Sequence, residues 1–310
     1  MLRHRLLLGT LFVAALVALC WLDCTVTRPG AILLPLALVL GLVGVSELLA
    51  MFHKGGRTPL PWVLYAGVLL AILLSGIQVA CPAACATAVP GWAGWLAIGL
   101  ALGLVLAFAG EIRSYDGQRP TTINLALEAF TILYLGGCLG FIAQLRGLSG
   151  GRFGTDGRTG MLALISLIAI VKMSDIGQYT VGRLVGRHKL SPLVSPGKTW
   201  EGALGGVLFA IFAAWIVFGW AANKILTTAT AHSAFFSDFP RALHITLYAI
   251  ALAVSGIIGD LAESMLKRDA GVKDSSNWMP GFGGVLDLLD SLLGAAPIAY
   301  LCWATGFVTP

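Results

Sequence analysis

The sequence predicts an all-α integral membrane protein with about nine transmembrane helices and a cytoplasmic N-terminus. Three observations carry this. Hydrophobic residues make up 57% of the 310 and charged residues only 11%, where a soluble domain carries roughly 25% charge. So little charge cannot cover a water-facing surface, which sets aside a soluble globular enzyme, a disordered chain and a disulfide scaffold. Apolar stretches close to the ~20 residues that cross a bilayer recur along the whole chain. Alternating strands with turn signals are absent, which sets aside a barrel. The net charge of +5 fits cytoplasmic loops and anionic lipid rather than nucleic acid.

In chain order the expected spans are about 6–22, 31–52, 60–80, 91–110, 123–145, 160–182, 203–222, 242–262 and 284–308. The first follows Arg3, His4 and Arg5 in the manner of a signal peptide. Its apolar run to Leu22 is long for one, and no small-x-small cleavage site precedes a soluble domain. The fifth and sixth carry enough polar residues to be broken or re-entrant. Alternate loops differ in charge. Thirteen lysines and arginines, Arg57, Arg113, Arg183 and Lys198 among them, fall on the side of the N-terminus, against six on the other. The richer side is cytoplasmic. Cys20, Cys24, Cys81 and Cys85 then lie outside, where disulfides persist; ordinary small apolar packing is an equal reading.

Polar residues divide the chain unevenly. Residues 1–145 read as N-terminal scaffold helices, lipid contact or a homodimer surface, with Glu47 and Glu128 as costly intramembrane acids. Residues 146–310 read as a catalytic domain with cytoplasmic loops 183–202 and 263–283. There Lys172 and Asp175 sit inside one apolar span, Asp260 and Glu263 close another, and Asp287 and Asp290 open the last. Five acids and a lysine at similar depth indicate a polar cavity open to the cytoplasm.

The first loop centres on Ser195-Pro196-Gly197-Lys198-Thr199-Trp200-Glu201-Gly202. A Ser-Pro-Gly turn would expose backbone amides, Lys198 and Thr199 can donate to phosphate, and the helix starting near Trp200 adds its positive end. The glycine spacing of a P-loop is missing, and a capped helix start is the plainer reading of this run alone. The second loop offers Lys267, Arg268 and Lys273 as grips for several phosphates. Asp260 and Asp287 end the two helices that it joins, so they can converge. One or two carboxylates, completed by phosphate and water, suit Mg²⁺, and basic groups with such an ion are the recurring equipment for nucleotide phosphates.

These loops resemble the phosphatidate cytidylyltransferase (CDP-diacylglycerol synthase) family. That family's signature runs Ser-x-x-Lys-Arg, four residues, Lys-Asp, a Pro-x-His-Gly-Gly turn and Asp-Arg-x-Asp. Ser264, Lys267, Arg268, Lys273, Asp274, Pro280, Gly283, Gly284, Asp287 and Asp290 match at the same spacing. The 195–202 run and the stretch from Asp175 to Gly186 also look like the family, so the resemblance covers about 170–295. Phe282 stands where the family has His, and Leu288 where it has Arg.

The resemblance implies transfer of a cytidylyl group from CTP to phosphatidate at the inner (cytoplasmic) membrane, with the active site facing the cytoplasm and lipid entering from the bilayer. Asp260 and Asp287 would hold Mg²⁺, with Asp290 as support or third ligand. Lys267, Arg268 and Lys273 would bind the β and γ phosphates. Ser195, Lys198 and Thr199 would contact a phosphate, Ser264 would donate one turn after Asp260, and Asp175 and Lys172 would line the cavity. The family also leaves room for a second, monovalent cation such as K⁺. Rival readings are a CTP-dependent polyprenol kinase, another lipid-phosphate nucleotidyltransferase, or an ion-coupled transporter; the last would show a half-to-half repeat, and none is visible.

Overall fold

The computed structural model describes residues 2–26, 28–77, 91–148, 157–225, 239–276 and 283–308. Helices occupy the stretches where spans are expected: α1 (Leu2–Thr25), α2 (Leu33–Lys54), α3 (Pro61–Ser75), α4 (Gly91–Arg113) and α5 (Thr121–Arg146, with a π-helical turn at Ile132–Gly137). They continue with α6 (Arg158–Val185), α7 (Trp200–Ile216, prolonged through a π turn at Val217–Ala221), α8 (Phe239–Asp269) and α9 (Val285–Thr305). Among the described residues seven helices are long and apolar enough to cross a membrane. Shorter apolar stretches, Ala14–Thr25 and Pro61–Ser75, lie in the other two expected positions. The chain is a multi-pass, all-α membrane protein. Cys20, Cys138 and Cys302 are free thiols, and Cys81 and Cys85 lie outside the described residues.

The chain forms two compact units. The first comprises Met1–Gly147 and Asp269–Leu288, the second Leu148–Arg268 and Leu289–Pro310. The stretch 269–288 therefore packs with the N-terminal helices, although it is remote from them in sequence.

In the first unit α3 lies against α4 and α5 around Leu60, Val63, Ala107 and Ile132. Two of its buried polar residues form an ion pair: Arg146 Nε lies 2.6 Å from Asp23 Oδ2. Asp23 also accepts the amides of Gly30 and Ile32, both at 2.9 Å. Arg146 thus ties the end of α5 to the end of α1. Glu128 accepts the Leu60 amide at 2.8 Å and so ties α5 to the start of α3.

In the second unit Tyr248, Trp303 and Phe218 fill the interior of α7, α8 and α9. The Tyr248 hydroxyl accepts from Trp303 Nε1 at 3.2 Å and lies 2.9 Å from Ser166 Oγ on α6, so each buried polar tip has a partner. Helices α8 and α9 cross at Gly259 and Gly294. A Cβ on Gly294 would fall 2.7 Å from the Gly259 Cα, so only glycine permits this approach. Close backbone contact of this kind is how helices associate where burial from water gives no drive.

Between α6 and α7 the chain makes an antiparallel hairpin of β1 (Lys189–Ser191) and β2 (Ser195–Thr199). This corrects the expected Ser195-Pro196-Gly197 turn. The turn falls at residues 192–194, and Ser195–Gly197 lie in β2. Pro196 is tolerated because a two-stranded ladder leaves outward-facing amides that need no partner.

Candidate active site

The polar region of the second unit is built from four elements. Helix α6 brings Lys172 and Asp175, the hairpin Lys198, the end of α8 Asp260 to Arg268, and α9 Asp290 and Ser291. Lys198 Nζ stands 2.6 Å from Asp260 Oδ2. Ser264 Oγ donates to the other Asp260 oxygen at 3.4 Å, one helical turn on. The two separate sequence motifs therefore meet at one carboxylate.

Lys172 Nζ lies 3.3 Å from Asp175 Oδ2. The Ser291 hydroxyl stands 3.1 Å from both Asp175 Oδ1 and Asp290 Oδ1. Asp260 and Asp175 are near enough for their charges to act on Asp290, as is Lys172. Three aspartates from three helices thus face two lysines. Their hard oxygen donors and excess negative charge suit a hard cation. Among the described residues no three His, Cys, Asp or Glu side chains form a metal cage of their own. Mg²⁺ needs none, because it keeps waters and takes substrate phosphates beside one or two carboxylates.

The remaining expected groups are placed as follows. Thr199 is the N-cap of α7: its buried Oγ1 accepts the Gly202 amide at 3.1 Å, leaving the hydroxyl proton as its donor. Ser195 is half-buried in β2 opposite Ser191. Lys267 pairs with the buried Glu263 one turn earlier. Arg268 Nε donates to the Val194 carbonyl at the hairpin turn, 3.3 Å away. The hairpin base is held by Glu201, which accepts the amides of Arg187 (3.1 Å) and His188 (3.2 Å) and contacts His188 Nδ1 at 2.6 Å. Sequence reasoning missed this role; a carboxylate in the first turn of a helix, after a basic run, was the available signal.

The first unit holds the rest. Lys273 is exposed. Asp287, third residue of α9, accepts the Ser275 amide at 2.9 Å, the Ser275 hydroxyl at 2.7 Å and the Gly284 amide at 2.8 Å, all on Oδ2. A third-position acid reaching back to the cap amide is half of a capping box. Glu47, on α2, is buried and accepts Val285 N and Leu286 N, both at 2.9 Å. It also accepts the Ser276 hydroxyl at 2.9 Å and lies 3.0 Å from the Ser275 hydroxyl, whose single proton serves one of the two carboxylates at a time. Phe282 lies outside the described residues, and Leu288 is half-buried.

A sequence profile of the cytidylyltransferase family matches residues 5–305. The chain belongs to that family. The phosphatidate cytidylyltransferase of Haemophilus influenzae is 36% identical over 199 residues, which is 64% of this chain and 62% of that protein. The one from Pseudomonas aeruginosa is 41% identical over 47% of this chain and 49% of its own length. The chain thus spans less than two thirds of either. The Staphylococcus haemolyticus phosphatidate cytidylyltransferase is 29% identical, with 87% of this chain and 88% of that protein covered. Within this cytidylyltransferase fold, Lys198 and Asp287 lie on the motifs that carried the resemblance, and Asp260 stands one turn before Ser264, where the second of them begins.

Proposed function

We propose that this chain transfers the cytidylyl group of CTP to phosphatidate, giving CDP-diacylglycerol and pyrophosphate. Family membership and the names of its relatives support this. The observation that carries it in the fold is the meeting of Lys198 with Asp260, which joins the two motifs within one unit. A phosphatidate phosphate oxygen attacks the α-phosphorus of CTP. The bond from that phosphorus to the β-phosphate bridging oxygen breaks, and its electron pair leaves with pyrophosphate. A phosphate monoester is already a competent nucleophile, so the protein supplies position and positive charge rather than a general base.

Two strongly anionic partners must approach each other, so cations lower the barrier. Lys198 is a lysine whose charge is balanced by Asp260 and which can turn to phosphate. Lys267, Arg268 and Lys273 are assigned to the β and γ phosphates, Ser195, Thr199 and Ser264 to hydrogen bonds, and Asp175 with Lys172 to the cavity wall. Asp260, Asp287 and Asp290 are the proposed Mg²⁺ carboxylates, an assignment that rests on motif spacing and on their oxygen donors. Such an ion would neutralise phosphate charge. A cytoplasmic N-terminus, a site facing the cytoplasm and residence in the bacterial inner membrane complete the reading, from loop charge and bacterial relatives.

Purified protein in detergent, given CTP, phosphatidate and Mg²⁺, should form CDP-diacylglycerol. Asp287→Asn should abolish most of that activity. Full activity in the variant would remove the metal assignment, and no product from the wild type would remove the reaction.

A further inference from the structure

The last helix begins at a place where two carboxylates share one serine. Glu47 uses both of its oxygens symmetrically. Oε1 accepts the Val285 amide and the Ser276 hydroxyl; Oε2 accepts the Leu286 amide and shares the Ser275 hydroxyl with Asp287. These are the first two amides of α9, which have no partner within the helix. Asp287 takes the cap amide of Gly284, so three successive orphan N–H groups end on two acids. The Ser275 hydroxyl lies 3.0 Å from Glu47 and 2.7 Å from Asp287.

The two motif glycines make room for this arrangement. A Cβ on Gly284 would collide with both Glu47 oxygens and with Ser275 Oγ. A Cβ on Gly283 would collide with the Asp287 carboxylate, and Gly283 also holds φ +81°, a conformation that disfavours other residues. The double glycine is therefore the space into which the two acids fit. Only one of those acids belongs to the sequence motif. The other comes from α2, 228 residues before Ser275.

We propose that Glu47 is a positioning residue for the cytidylyl-transfer site. Its buried carboxylate fixes the Ser275–Ser276 pair and the start of α9, and through Ser275 it sets the orientation of Asp287. The inference rests on the reaction and on the metal role of Asp287 proposed above. Glutamine cannot substitute. Its NH₂ would face one backbone N–H, which cannot rotate to become an acceptor, whereas the serine hydroxyls can.

The test uses the full-length protein in nanodiscs, as wild type, Glu47→Gln and Ser275→Ala. Outer partners that orient metal ligands typically change metal affinity or activity by about 10- to 100-fold. Glu47→Gln should raise the Mg²⁺ concentration for half-maximal activity by about tenfold or more. Amide hydrogen exchange at residues 285–287, measured without Mg²⁺ or CTP, should speed up in the same variant. Ser275→Ala keeps the Glu47 carboxylate and the backbone amide to Asp287, so it should fold and show a smaller shift in the same direction. Wild-type Mg²⁺ dependence in both variants would overturn the proposal. If Glu47→Gln does not fold, unchanged Mg²⁺ dependence and exchange in Ser275→Ala overturn it alone. A purely structural role would speed exchange and lower yield without moving the Mg²⁺ dependence. An inactive wild type would instead refute the reaction, while the exchange data would still report whether Glu47 orders the helix start.

Discussion

Lys198 and Asp260 show how a single contact carries a functional reading. Their side chains are 16% and 26% exposed and Lys198 Nζ itself is buried, so removing one partner leaves the other poorly solvated. Lys198→Ala should therefore lower the melting temperature as well as the activity. A charge-assisted hydrogen bond is worth about 1.5–3 kcal/mol, so kcat/KM should fall roughly 10- to 150-fold; steady-state kinetics beside a thermal melt checks both. Arg146 should show the thermal loss alone. It is 4% exposed and its partner Asp23 0%, so Arg146→Ala strands a buried charge. The expected loss is about 3–5 kcal/mol, read as thermal destabilisation. The sequence flagged Glu47 and Glu128 as expensive, but not what each does. Cost can be read from position in a span, whereas the partners of Glu47 lie over two hundred residues away and no local pattern encodes them.

Elements were more legible than contacts. Among the described residues seven of the expected spans have a helix long and apolar enough to cross a membrane, because a ~20-residue apolar run has few other solutions in a bilayer, where each backbone group must be satisfied within its own segment. The hairpin was missed. Ser195-Pro196-Gly197 has the composition of a turn, yet the pairing of Lys189 with Thr199 and Ser191 with Ser195 moves the turn to 192–194. Strands of three and five residues leave too short a pattern to detect. The hairpin is held by Glu201 at its base and Arg268 at its turn. Glu201→Ala should accelerate hydrogen exchange over 187–199 and lower kcat/KM, with global unfolding little changed, since among the described residues the Glu201 side chain bonds Arg187 and His188 at the hairpin base rather than the helices. Gly294→Leu should do the reverse. It blocks the α8–α9 crossing, and overpacking typically costs 1–3 kcal/mol or about that; the yield of monodisperse protein in detergent should drop.

At the scale of the molecule, charge asymmetry across the loops predicts the orientation, and the two-unit division redistributes the work. The half that reads as scaffold supplies Glu47, and the stretch Asp269–Leu288, carrying Lys273 and Asp287, packs with it. A contiguous split at residue 145 is what sequence order suggests, because order alone cannot show a segment returning to the first unit. Lys273→Cys in inside-out vesicles should react with a membrane-impermeant maleimide and in intact cells should not; labelling from outside would invert the proposed topology. The most direct test of the central claim uses CTP labelled at the α-phosphate, incubated with phosphatidate and the purified protein. The account predicts label in the lipid product and one pyrophosphate released per lipid formed. Label recovered as free CDP, with a γ-phosphate moved to lipid, would contradict it.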